Sequence, residues 1–180
     1  MRDWNVVVTV YDAMGRREAK RALRKFGDVE RTPFFNVLVM RVADVASFID
    51  EFARLVAERK DLLNDIARLL PAQAVFDFET VEEFEERSRE IVLEWAPRLV
   101  GRSFHVRLNR RGLKGVLETP KLERFLDDAV LEKTADLGQP ARISFADPDY
   151  VIDVETVGNR AGVSLWSREE LSRYPFLRIE

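Results

Sequence analysis

The stretch WNVVVTVY (Trp4–Tyr11) is continuous in β-branched and aromatic residues, and it is too short for a helix of that character. Such a run reads as a buried strand. The residues after Tyr11 fix the class of fold. Gly15 interrupts, then Ala19, Ala22, Leu23 and Phe26 recur at helical spacing. A short strand is expected near Asp28–Arg31, a turn at Pro33, and a long strand over Phe34–Val42. Asp44 is placed to cap a helix with an apolar face of Val45, Phe48, Ile49, Phe52, Leu55 and Val56. Helical spacing continues to Leu70, Pro71 stops it, and AQAVFDF (Ala72–Phe78) reads as a closing strand. The order β-α-β-β-α-β suits a ferredoxin-like unit over residues 1–78.

Residues 79–180 have a different rhythm. Thr80 and Glu83 make a capping box ahead of a helix that runs to about Pro97. RSFHVRLN alternates as a strand, with Phe104, Val106 and Leu108 on one face and Ser103, His105, Arg107 and Asn109 on the other. Thr119-Pro120 starts another helix. DYVIDVETV and AGVSLWS form two strands turning around Gly158-Asn159-Arg160, and Ser167 with Glu170 caps a short last helix. The expected class is α+β, with the ferredoxin-like unit packed on a second α/β domain. Trp4, Trp95 and Trp166 all fall on predicted apolar faces or strands and are expected to pack rather than stack on bases.

Charge is unremarkable in sum and uneven in detail. The chain carries −3 overall, yet Arg98, Arg102, Arg107, Arg110, Arg111 and Lys114 follow one another with no acid between Arg98 and Lys114. A basic stretch entering a glycine-containing loop, just ahead of a helix start, suits phosphate contact. Arginine suits it better than lysine, because its fork binds phosphate bidentately. A solvated strand-to-helix loop is the plainer reading of the same residues.

Other chemistries find little support. Neither a phosphate-loop nor a dinucleotide glycine signature occurs. With no cysteine and one histidine, disulfides, thiolate catalysis and a His-rich metal site are excluded. A triad would need His105 with Ser103 or Ser144 and lacks a nucleophile turn. Asp153 and Glu155 share a strand face, with Asp147 and Asp149 upstream. They read as solvated or as cross-strand partners of a residue such as Arg107, more than as a Mg²⁺ site. The absence of cysteine fits a reducing cytoplasm, which is the expected location, and no apolar run approaches membrane-spanning length.

From about Thr80 to Trp166 the sequence resembles a THUMP domain, a module of tRNA thiouridine synthetases, RNA methylases and pseudouridine synthases. The features that carry the resemblance are SFHVRLNRRGLKG, the helix TPKLERFLDDAV, and SFADPDYVIDVETVGNRAGVSLW. The resemblance implies binding to structured RNA, typically tRNA near its acceptor end, and an N-terminal ferredoxin-like companion. With no room for a catalytic domain after the last strand, the chain looks like the stand-alone subgroup. Members of that subgroup present tRNA to an RNA cytidine acetyltransferase for N4-acetylcytidine formation. The opening from Asn5 to Val42 also resembles that subgroup.

The expectation is therefore a tRNA-binding adaptor without catalytic residues, cofactor or metal. Arg107, Arg110, Arg111 and Lys114 would contact phosphate and sugar, with Arg102, Asn159 and Arg160 further out. His105 and Asn109 would meet base or ribose edges. Alanine at Arg110 or Arg111 would cost stability no more than about 0.5 kcal/mol, as for exposed positions. The contrasting reading is a module whose basic loop docks an acidic protein.

Overall fold

A computed structural model describes residues 2–179. It divides into two compact units: the chain up to Gln73 together with Tyr174–Arg178, and Ala74–Arg173. The first unit runs β1 (Val6–Val10), α1 (Ala13–Leu23), β2 (Asp28–Arg31), β3 (Val37–Arg41), α2 (Val45–Glu58), the single turn α3 (Leu62–Asp65) and β4 (Ile66–Pro71). Its sheet is antiparallel throughout, in the order β2-β3-β1-β4. Each long helix therefore joins two strands with a third inserted between them, the split βαβ arrangement.

Local chemistry sets the helix starts. Asp12 accepts the Gly15 N–H at 2.8 Å, and Asp44 accepts that of Ser47 at 2.6 Å, which satisfies donors the helix leaves orphaned. The buried face of α2 brings Phe48 and Phe52 into an aromatic cluster with Phe26. Phe176, fully buried, completes it at 4.9 Å from Phe52. The segment Tyr174–Arg178 is thus part of the first unit. The Leu69 N–H donates to the Phe176 carbonyl at 2.9 Å, and the Tyr174 hydroxyl donates to Asp50 at 2.8 Å.

Two expectations fail between residues 62 and 78. The helical stretch to Leu70 is a turn followed by β4, and Ala72–Phe78 does not close the first sheet. Instead β5 (Ala74–Asp77) pairs with a strand of the second unit, which therefore starts ahead of the expected boundary at 78/79. In β4 a register shift against β1, between Thr9 and Val10, skips Ala67 and brings Ile66 onto the face of Leu69, while Leu70 is buried on the opposite face.

The second unit continues with α4 (Val81–Leu99), β6 (Ser103–Arg111), α5 (Thr119–Asp136), the two-residue β7 (Arg142–Ile143), β8 (Tyr150–Val157), β9 (Arg160–Ser167) and α6 (Arg168–Arg173). The sheet order is β5-β9-β8-β6-β7, with β6 parallel to both neighbours and the other pairs antiparallel. Phe104, Val106 and Leu108 face a core shared with Ile152, Val154 and Val163, against Phe84 and Val92 of α4 and Leu122 and Leu126 of α5. Both expected caps are present. The Glu83 N–H bonds the Thr80 hydroxyl at 3.1 Å, and Ser167 and Glu170 cap one another reciprocally. Gly158 adopts φ +59 at the first of two turn residues between β8 and β9, as a two-residue hairpin of type II′ requires. The class is α+β with two sheets. Trp4 and Trp166 are buried, and Trp95 packs against the second core. Among the described residues no helix is long and apolar enough to cross a membrane.

Candidate nucleic-acid interface

The parallel pairing of β6 with β8 sets Arg110 opposite Thr156 and Arg111 opposite Val157. The hairpin then turns Asn159 and Arg160 back beside them, and the Gly158 N–H donates to the Arg111 carbonyl at 2.9 Å. The end of β6, the loop from Gly112 to Gly115 and the β8–β9 turn thus form one rim. Loop residues Gly112, Leu113 and Gly115 all take positive φ, which for Leu113 at +52 is uncommon. That conformation pushes Lys114 outward, and it is exposed at the tip. The following helix, α5, has Pro120 in its first turn and no acid there.

The nine predicted residues do not share one circumstance. Arg110, Arg111, Lys114, Asn159 and Arg160 gather on the rim. Arg102 lies at the other end of β6; nine residues at about 3.3 Å each set it roughly 25–30 Å from Arg111. The acid-free stretch is therefore two separate basic places. His105 is 5% exposed, its Nδ1–H donates to the Ser144 carbonyl at 2.9 Å, and its ring lies 5.3 Å from that of Phe145. Burial, against the pull of that carbonyl, lowers its pKa, so the ring is neutral at pH 7. His105 is thus packed within the unit, not on the open surface where its expected role at base or ribose edges would place it.

The strand face shared by His105, Arg107 and Asn109 is not an open one. Asp153 and Glu155, beside them on β8, are each 2% exposed. The Asn109 amide donates to Asp153 at 3.4 Å, and Arg111 forms an ion pair with Glu155 with only 11% of its side chain exposed. The acids do act as cross-strand partners, but the arginine they hold is Arg111. Among the described residues no three His, Cys, Asp or Glu side chains gather to hold a metal. On the rim, Arg160 pairs with Asp77 at 3.0 Å, and the Asn159 amide donates to the Phe78 carbonyl at 3.1 Å.

The positive charge left to a partner is narrower than the sequence implies. Arg110 donates only to the neutral Gly112 carbonyl, and its Nε has no partner among the described residues. Arg107 Nε is likewise buried and unbonded. Arg110 and Lys114 thus supply the net charge that an anion would meet at the carboxyl end of β6, while Arg107 lies further back along the strand, beside Asp153.

The THUMP domain matches residues 78–165 of the chain. A search of curated proteins finds no match. Solved structures share the fold at low identity. PH1313 from Pyrococcus horikoshii superposes with a TM-score of 0.61 at 10% identity, over 90% of this chain and 54% of its own. TrmN from Thermus thermophilus gives 0.54 at 17%, over 89% and 44%. A 4-thiouridine synthetase solved in complex with RNA and ATP gives 0.52 at 15%, over 92% and 42%. The chain spans about half the length of the first and less than half of the other two.

Proposed function

We infer that this chain, whose residues 78–165 are a THUMP domain, binds tRNA and serves its modification. The observation that carries the reading is the rim at the carboxyl end of β6. There Arg110 and Lys114 retain charge unpaired by any acid among the described residues, on a fold shared with a synthetase solved in complex with RNA. Phosphates are the natural ligands of such a rim, and affinity then depends steeply on salt. We read the first unit as the ferredoxin-like companion, on its topology and on the resemblance of residues 5–42 to the stand-alone adaptors. In the finer form of the reading the chain itself is non-catalytic. It holds tRNA by its acceptor end, in the cytoplasm, for a partner enzyme such as an RNA cytidine acetyltransferase.

The test is a salt-titrated binding measurement with tRNA, whole and lacking its 3′ single-stranded end. Tight, salt-dependent binding that weakens without the end supports the reading. Equal binding of both RNAs removes the acceptor-end part of it, and no binding at low salt removes RNA altogether. A second surface, separate from the basic loop of the protein-docking alternative, also fits a protein partner. Tyr11, Met14 and Phe35 are 56%, 73% and 65% exposed in the first unit, where Arg16 lies 5.2 Å above the Phe35 ring. Aromatic, Met and Arg side chains are the composition of protein-binding hot spots.

A further inference from the structure

The end of the second sheet opposite the rim holds a cavity of about 530 Å³, bounded by the end of α4, the starts of β6 and β8, and α6. Arg98, Arg102, Arg168 and Arg173 line it, with Tyr150 on one wall. The arginines are not equivalent. Arg168 is held by acids: its Nε meets Asp147 at 2.8 Å and its Nη1 meets Asp149 at 3.4 Å. Arg98 and Arg102 form no ion pair among the described residues, and both are exposed. The Arg98 guanidinium lies over the Tyr150 ring, 5.6 Å from its centre. A cation held over a ring face is restrained there while its N–H donors remain available.

Two of the three acids lining the cavity, Asp149 and Glu170, are committed to the fold, and the third, Glu169, is exposed. Asp149 accepts the backbone N–H of Ser103 at 2.9 Å and its hydroxyl at 3.1 Å, which holds its carboxyl below the ordinary carboxylate range. Glu170 accepts the Ser167 N–H at 2.8 Å. Two guanidinium groups without an ion pair among the described residues, one of them held over an aromatic ring, face a cavity with room for a phosphate. We propose that this cleft is a second phosphate-binding site, which takes a phosphate of the same RNA that lies on the Arg110–Lys114 rim. This rests on the assignment of RNA to that rim. It makes the footprint of the RNA span the length of β6, because the two sites stand at opposite ends of that strand.

The test compares the full chain with Arg98→Ala/Arg102→Ala and, as a control for lost charge alone, Arg87→Ala/Arg89→Ala on the exposed side of α4. Each binds tRNA across a salt series, with and without the tRNA 5′-phosphate, and each is titrated with inorganic phosphate while amide resonances are followed. The expected result is roughly tenfold weaker tRNA binding for the cleft variant. Its log–log salt slope should be shallower by about 0.7–0.9 per phosphate lost, while the control keeps the slope of the parent. Phosphate should move resonances of Arg102, Tyr150 and Ser167 in the parent and control only. If removing the 5′-phosphate reproduces the loss in the parent and adds nothing in the cleft variant, the ligand is the terminal phosphate. If it changes neither, the ligand is an internal phosphodiester. A cleft variant that binds tRNA as the parent does overturns the proposal and leaves the RNA reading standing. A parent that binds no tRNA overturns the RNA reading, and unmoved cleft resonances in phosphate then overturn the site as well. Moved resonances in that case retain a phosphate site without RNA.

Discussion

Neutralising Arg110 and Arg111 separately should give two different phenotypes, because adjacent positions on a strand end meet different surroundings. Arg110 donates to a carbonyl and remains a net charge on the rim, whereas Arg111 is paired with the almost fully buried Glu155. Arg110→Ala and Lys114→Ala are expected to weaken tRNA binding and flatten its salt slope by about 0.7–0.9 each, with melting temperature held. Arg111→Ala removes a charge-assisted hydrogen bond at a carboxylate that is 3% exposed, and should cost about 1–3 kcal/mol of stability. Parallel melting curves and salt titrations of the three variants separate the effects. An Arg111→Ala protein that melts with the parent would show the ion pair to be dispensable. The basic stretch itself was plain in the sequence. Which arginine is spent on the fold was not, because that depends on the register of β6 against β8, and no local pattern encodes it.

At the scale of elements, β6 and α5 share an arrangement that side-chain spacing only half discloses. Strand β7 covers just the first residues of β6, pairing Ser103 and Phe104. Beyond it, acids of α5 take over the edge: Asp127 accepts the Val106 N–H at 3.1 Å and Glu123 that of Leu108 at 2.8 Å. A helix thus supplies the acceptors that a longer strand would have given. The cost falls on Asp127. Burial pushes its carboxyl up to about 7, opposed by the Val106 N–H and reinforced by Glu123 and Asp128. A folded-state carboxyl raised above its unfolded value near 3.9 binds more protons than the unfolded chain between the two values. Stability from this group is therefore lost as pH rises from about 4 to about 7. Asp127→Asn keeps an oxygen for the Val106 N–H and removes the charge. It should match the parent near pH 4 and exceed it by about 1–2 kcal/mol at pH 8, discounted for partial solvent access. Thermal melts across that range check it, and a constant difference at all pH values would exclude Asp127 as the titrating group. The same scale explains the misread segment. Ile66, Leu69 and Leu70 carry a helical period, and a strand accommodates it because the register shift against β1 aligns Ile66 with Leu69 while Leu70 is buried on the other face. The caps at Asp44, Thr80 and Ser167 were legible because each is a contact within four residues.

Across the whole molecule, the order of elements follows the sequence patterns closely, while the assignment of segments to units does not. Two segments depart from a simple division of the chain: Ala74–Asp77, which joins the second sheet, and Tyr174–Arg178, which completes the first unit. Pairing between residues far apart in sequence has no local signature, so neither could be read from periodicity. The second has an energetic consequence. Phe176 is fully buried against Phe52, and its carbonyl accepts the Leu69 N–H on β4. Emptying an aromatic site of that kind costs about 3–5 kcal/mol, a large part of the total stability of a small domain. Phe176→Ala should therefore lower the melting temperature of the first unit, although the residue lies more than a hundred positions along the chain from Phe52. Hydrogen exchange resolves the effect by position. Protection should fall in β1, β3, β4 and α2, while amides of β6, β8 and β9, whose core is built from Ala74–Arg173, keep theirs. If tRNA binding resides in the rim and the cleft of the second unit, the variant should bind with the parent's salt slope at temperatures where the second unit stays folded. A slope that flattens with Phe176→Ala under those conditions would place RNA-contacting charge on the first unit as well.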